Sequence, residues 1–229
     1  MRKFPLAVKA VAIDLDGTLL DTIHDLAEAA NRMREELALP RLPVDEIKTF
    51  VGKGLANLIK RTLMDGDGIE PDAALLKRAV VIYERQYLAV LTRDLRTFPG
   101  VEEGLRRLRA AGFKLACVTN KASRFTLPLL SASGLRHYFD LVVSGDTAAR
   151  PKPDPAPLLY AVDQFGIQPH DLLLIGDSIN DFDAARAAGC PVFLVPYGYN
   201  EGRDATDLAA DAIVPGLVEA AELIENSAA

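Results

Sequence analysis

The sequence predicts a doubly wound parallel α/β sheet, a Rossmann-like core, carrying an inserted α-helical cap domain. Three observations predict it. Short apolar runs alternate with helical periodicity along most of the chain. Gly112, Gly134, Gly166 and Gly189 each stand just past a helical segment, where a left-handed C-terminal cap favours glycine. Between the first strand and Pro99 the alternation stops, and only helical patterns remain.

The first apolar run, Val8 to Leu15, is rich in Val, Ile, Leu and Ala, which suits a buried parallel strand. Further strands are expected at Lys114 to Thr119, Leu141 to Ser144, Leu172 to Gly176 and Val192 to Val195. Helical periodicity fits Val101 to Ala111, Phe125 to Ala132, Ala156 to Phe165 and Asp181 to Ala188. The intervening helices fall at Ile23 to Leu37, Val44 to Phe50, Leu55 to Leu63 and Ala73 to Leu91, punctuated by Pro40, Pro43 and Asp65-Gly66-Asp67-Gly68. A parallel crossover needs about a dozen residues, so a longer all-helical insert reads as a second unit. The expected division is a core of residues 1–20 and 96–229 and a cap of residues 21–95. Only the end, Asn226 to Ala229, reads as frayed.

Composition bounds the function. Hydrophobic residues make up 49% and charged residues 25% of 229, which supports a packed core and argues against disorder. A net charge of −6 opposes general affinity for nucleic acid or anionic membrane. The N-terminal apolar run contains Lys9, Asp14 and Asp16, so it does not read as a signal peptide, and no run is long enough to span a bilayer. Cys117 and Cys190 sit in apolar surroundings and read as reduced core thiols, which points to the cytoplasm. The expected assembly is a monomer or small homo-oligomer acting on a small molecule.

The chemistry is concentrated where strands end. Asp14 and Asp16 close the first strand, and Gly17 then allows a sharp turn. Paired carboxylates at the ligand-binding edge of a parallel sheet call for a cation or a reaction. Thr119 and Asn120 end the second core strand with groups able to donate to an anionic oxygen. Lys152 lies among Pro151, Pro153 and Pro155. Gly176-Asp177-Ser178 ends a later strand, with Asp181 at the start of the next helix. Taken singly, Thr119-Asn120 also reads as a strand end with an N-cap, and Asp177, Ser178 and Asp181 as helix-capping groups. In order at successive strand ends, they can hold a divalent metal and an anion together.

Asp14-Leu15-Asp16-Gly17-Thr18, Thr119-Asn120, Lys152 and Gly176-Asp177-Ser178 with Asp181 resemble the four motifs of the haloacid dehalogenase superfamily of phosphohydrolases. Phe50-Val51-Gly52-Lys53-Gly54 and Tyr197-Gly198-Tyr199-Asn200-Glu201-Gly202 resemble the branch that hydrolyses 2-phosphoglycolate. The resemblance implies Mg²⁺ held by Asp14, Asp177 and the main-chain carbonyl of Asp16, with Asp14 as nucleophile and Asp16 as general acid and base. It also implies that Lys152 and Thr119 hold phosphoryl oxygens, while Ser178 and Asp181 support the ligands. Asn120 is counted with the substrate-binding groups. Other small phosphorylated metabolites, pyrophosphate and a sugar phosphomutase remain alternatives. A metal-free dehalogenase fits poorly with Asp16, Asp177 and Asp181.

Lys53, between two glycines, is the candidate for the substrate's non-phosphate end, or else a surface lysine in a turn. Gly52-Lys53-Gly54 lacks the spacing of a nucleotide-binding P-loop. Asp65-Gly66-Asp67-Gly68 lacks the later ligands of a calcium loop. His24, His137 and His170 show no metal-like spacing.

Overall fold

A computed structural model describes residues 4–64, 68 and 70–227. In chain order the elements begin with β1 (Leu6–Val8), β2 (Ala10–Ile13) and β3 (Leu20–Asp21). The helices α1 (Ile23–Glu36), α2 (Val44–Lys48), α3 (Leu55–Leu63) and α4 (Ala73–Val90) follow. After β4 (Arg96–Thr97) come α5 (Val101–Ala110), β5 (Lys114–Val118), α6 (Ser123–Ala132), β6 (Leu141–Val143) and α7 (Ala156–Phe165). The chain closes with β7 (Leu172–Gly176), α8 (Ile179–Ala188), β8 (Val192–Leu194), β9 (Ala212–Ile213), α9 (Leu217–Glu222) and β10 (Ile224–Asn226).

Six strands form the central sheet in the order β6-β5-β2-β7-β8-β9, all neighbours parallel. The first sheet strand, β2, lies between β5 and β7, so the chain winds outward on one side through β5 and β6 and then crosses back to build β7, β8 and β9 on the other. This is the switch point at which open α/β sheets bind ligands. The period-2 alternation of β2 sends Val11 and Ile13 to one face and Ala10 and Ala12 to the other. The Ala10 face is covered by Leu158 and Ala161 of α7 and Ala184 and Ala185 of α8. The Val11 face joins the core of α5 and α9 through Leu105, Leu108 and Leu217.

The apolar run Val8 to Leu15 is two strands, not one. Lys9 interrupts it, because an ammonium cannot be left bare inside the sheet. Its Nζ reaches the Asp171 carboxylate at 3.0 Å and its N–H donates to the Asp171 carbonyl at 2.8 Å. The chain before it, β1, instead pairs in parallel with β10. Asn226 ends β10 and is therefore ordered rather than frayed, while residues 228 and 229 lie outside the described residues. The stretch after the first sheet strand is not wholly helical either, since β3 and β4 pair antiparallel where the insert leaves and rejoins the core. The other expected strands and helices fall within about two residues of the observed ones, the usual uncertainty of element ends, whereas β9 and α9 lie where no element was expected.

Within the insert α1 packs chiefly on α4, and Tyr83, Ile82 and Ala79 of α4 face Leu26, Ala30 and Met33 of α1 in the shared core. Arg34 is buried there, with Nε donating to the Pro40 carbonyl at 2.5 Å and Nη1 to the Thr62 carbonyl. Of Asp65-Gly66-Asp67-Gly68 only Gly68 is described, so the reading of that stretch lies outside the described residues. Both cysteines are buried and unpaired. Among the described residues, no helix is long and apolar enough to cross a membrane.

Candidate active site

The C-terminal ends of β2, β5 and β7, with the loop after β6, bring Asp14, Thr119, Asp177 and Lys152 to one cavity at the switch point. Its volume is about 70 Å³. Asp16, Asn120, Ser178 and Asp181 line it as well, and Val51, Gly52, Leu55 and Leu58 of the insert roof it.

Lys152 is the pivot. Its Nζ lies 2.9 Å from Asp14 Oδ1 and donates to Asp181 Oδ1 at 2.6 Å and to the Val118 carbonyl at 2.8 Å. Two of its three N–H bonds are spent on Asp181 and the Val118 carbonyl, while Asp14 Oδ1, buried and without a hydrogen bond of its own, faces it as an ion-pair partner. Burial opposes its charge, but Asp14 and Asp181 together hold its pKa above the ordinary lysine value. Asp181 Oδ2 accepts from Ser178 Oγ at 2.7 Å and from the Ser178 and Asp177 N–H groups at 3.2 and 3.3 Å. Asp181 is thus committed to shaping the turn and holding Lys152.

Asp177 is fixed from two sides. Thr18 Oγ1 donates to Oδ1 at 3.1 Å and the Tyr199 N–H donates to Oδ2 at 2.6 Å. Close packing demands glycine around it, since a Cβ on Gly17 or Gly198 would collide with the Asp177 carboxylate. Gly17 also adopts a φ of +90°, which side chains rarely take. Asp14, Asp177 and Asp181, all buried, each present an oxygen within 4.8 Å of the others. Burial pushes the Asp14 carboxyl up to about 7 despite Lys152, with Asp181 raising it further. Burial, then Asp181 and Asp14, likewise raise Asp177 well above the carboxylate range. One ammonium does not balance three buried carboxylates, and an all-oxygen donor set suits a hard divalent cation such as Mg²⁺. The residues therefore fit such an ion. The Asp16 side chain stands outside this cluster.

Asp16 instead accepts from Thr22 Oγ1 at 2.6 Å on Oδ1 and pairs with Lys121 Nζ at 3.0 Å on Oδ2. Thr119 is buried and lines the same cavity, its Oγ1 accepting from the Lys121 N–H at 3.2 Å. Asn120, expected to bind substrate, spends its amide on the protein. Its Nδ2 donates to the Gly52 carbonyl at 2.9 Å and the Lys152 carbonyl at 2.7 Å, and Oδ1 accepts the Lys152 N–H at 2.8 Å. It joins the insert to the loop after β6 and fixes the main chain of Lys152. Lys53, expected to reach substrate, does not line the cavity. Its Nζ pairs with Glu201 at 2.9 Å and its side chain is 46% exposed. The glycines beside it leave the chain free to bend, and the lysine turns outward to the nearest carboxylate.

Sequence reasoning assigned no role to three residues here, one of which, Tyr199, it had noted only as part of a resembling stretch. Lys121 adjoins the Thr119-Asn120 motif and carried a signal as a lysine at a strand end. Tyr87 of α4 accepts from Lys121 Nζ at 2.7 Å. The Tyr199 hydroxyl accepts from the Thr22 and Ile23 N–H groups at 2.9 and 3.2 Å and donates to Asp21 at 2.5 Å. It thereby satisfies donors left open at the start of α1. Periodicity carries no sign of either tyrosine's role.

Comparison with known proteins agrees with this geometry. The family model described as haloacid dehalogenase-like hydrolase matches residues 11–195. A phosphoglycolate phosphatase of Nitrosospira multiformis is 61% identical over 225 residues, covering 98% of this chain and 99% of the relative. One of Thiobacillus denitrificans is 53% identical over 227 residues, covering 99% and 100%. A crystal structure described as a predicted phosphoglycolate phosphatase from Haemophilus somnus superposes with a TM-score of 0.88 at 32% identity, covering 93% of this chain and 96% of that one. CbbY from Rhodobacter sphaeroides, solved in complex with phosphate, shares the fold at a TM-score of 0.78 and 23% identity, covering 94% and 99%. The chain belongs to the haloacid dehalogenase-like hydrolase family, and the curated relatives it is most similar to here are phosphoglycolate phosphatases.

Proposed function

We propose that the protein is a Mg²⁺-dependent phosphomonoester hydrolase that works through an aspartyl phosphate on Asp14 and takes 2-phosphoglycolate as substrate. The observation that carries this reading is the cluster of buried carboxylates Asp14, Asp177 and Asp181 around Lys152, in a small cavity at the sheet's switch point. The substrate is supported by the relatives' shared activity, since a fold alone does not fix one.

Asp14, Asp177 and the main-chain carbonyl of Asp16 would hold the ion. When bound it neutralises charge on the transferring phosphoryl group and on the carboxylates beside it. An Asp14 carboxylate oxygen attacks phosphorus in line with the ester bond. The new O–P bond forms as the ester O–P bond breaks, and Asp16 gives the leaving oxygen its proton. A water then attacks the aspartyl phosphate, losing its proton to Asp16, and the Asp14 O–P bond breaks to release phosphate. Lys152 and Thr119 flank the phosphoryl oxygens, and the helical insert serves as a cap that excludes water. Two buried, unpaired thiols fit a reducing compartment, which we take to be the cytoplasm.

The test is phosphate release by the purified protein over small phosphomonoesters and pyrophosphate, with Mg²⁺ and with EDTA. The reading expects Mg²⁺-dependent release with 2-phosphoglycolate preferred. Activity in EDTA, or stimulation by a sugar bisphosphate without net phosphate release, overturns it.

A further inference from the structure

We propose that Lys121, rather than Lys53, recognises the carboxylate of the substrate. The inference rests on the phosphoglycolate reading above and assigns its specificity contact. Two ammonium groups line the cavity, those of Lys152 and Lys121. Lys152 is held among Asp14, Asp181 and the Val118 carbonyl, at the phosphoryl end of the cavity on the reading above. Lys121 is also withdrawn from solvent, its side chain 6% exposed. Its Nζ meets Asp16 Oδ2 at 3.0 Å and donates to the Tyr87 hydroxyl at 2.7 Å. An ammonium has three N–H bonds, so one remains for a ligand. The cavity it lines has apolar walls that include Leu26, Leu58 and Phe125. A second anionic group on a substrate would be costly to desolvate there without a cation, and Lys121 is the cation available.

Its place beside Asp16 sets the length of acid that fits. Asp16 is the carboxyl that serves the leaving oxygen. In 2-phosphoglycolate a single methylene separates that oxygen from the carboxylate. An ammonium in contact with Asp16 therefore lies within reach of the carboxylate of a two-carbon acid. A longer chain would carry its carboxylate past Lys121 against the apolar wall. Tyr87 comes from the insert, so the contact is complete only when α4 stands over the core.

The test is a double-substitution cycle on the Mg²⁺-loaded enzyme. Wild type and Lys121→Met are each assayed with 2-phosphoglycolate and with 2-phosphoglycolamide, its neutral isostere. Wild type should favour the acid over the amide by about tenfold or more in kcat/KM, mainly through KM. Lys121→Met should erase that preference, while both substrates share a further loss in kcat from the vacated Asp16 contact. Equal losses on acid and amide would show that Lys121 only positions Asp16 and would overturn the proposal. Equal wild-type rates on acid and amide overturn it without any variant. Should Lys121→Met fail to fold by circular dichroism, Lys121→Gln, which keeps a donor for Tyr87, gives the same comparison. Wild type that ignores phosphoglycolate but hydrolyses another phosphomonoester overturns the substrate reading, and this inference with it.

Discussion

Lys152 Nζ donates to Asp181 Oδ1 at 2.6 Å, and neither side chain is more than 2% exposed. Removing one member of a buried pair leaves the other uncompensated, at a cost of about 3–5 kcal/mol. Lys152→Met should lose stability of that order in urea unfolding with EDTA present, and Mg²⁺ should restore part of it. A stability equal to wild type in EDTA would refute this account of the pair.

Asp14→Asn should abolish turnover and leave the fold intact, because it removes the proposed nucleophile. In EDTA its melting temperature should equal or exceed that of wild type, since one of three crowded carboxylates becomes neutral. Activity above background would contradict the covalent step.

Metal-free protein should lose stability as pH rises. Burial raises the Asp14 carboxyl from an ordinary 3.8 to about 7, and Asp177 is raised as well. The unfolded chain releases these protons near pH 4, but the folded chain holds them, so the folded state binds more protons between about pH 4 and 7. Stability is then highest below that window and falls through it. Melting curves in EDTA should show the decline, and saturating Mg²⁺ should flatten it. Identical pH profiles with and without Mg²⁺ would exclude these carboxylates as the ion's site.

Tyr199→Phe should cost about 1–3 kcal/mol, because buried N–H groups at Thr22 and Ile23 lose their acceptor. Urea unfolding measures it.

Lys53→Ala breaks an exposed ion pair with Glu201, worth below about 1 kcal/mol. Any loss in kcat/KM should be small and equal for charged and neutral phosphomonoesters. A selective loss on phosphoglycolate would return Lys53 to the substrate.

Much of this architecture was legible because it follows from local pattern. Buried strands such as Leu172–Gly176 and glycine-ended helices such as Ala156–Phe165 declare themselves by period and punctuation. Asp14, Thr119, Lys152 and Asp177 were legible as a set because a parallel sheet delivers strand ends to one edge. What pattern cannot convey is a partnership between distant side chains. Lys9 divides a strand because Asp171 is there to receive it. Asn120 lines the cavity, yet its side-chain amide is held by Gly52 and Lys152, partners that no local pattern announces. The pairs β3–β4 and β1–β10 are too short to leave a periodic signal.

Tyr199 has a wider consequence. Its N–H grips the Asp177 carboxylate, while its hydroxyl grips the first turn of α1, where the insert begins. One residue thus touches both the cation site and the root of the insert. On the proposed function, an ion seated on Asp177 would bear through Tyr199 on the root of the insert as well as on the chemistry in the cavity.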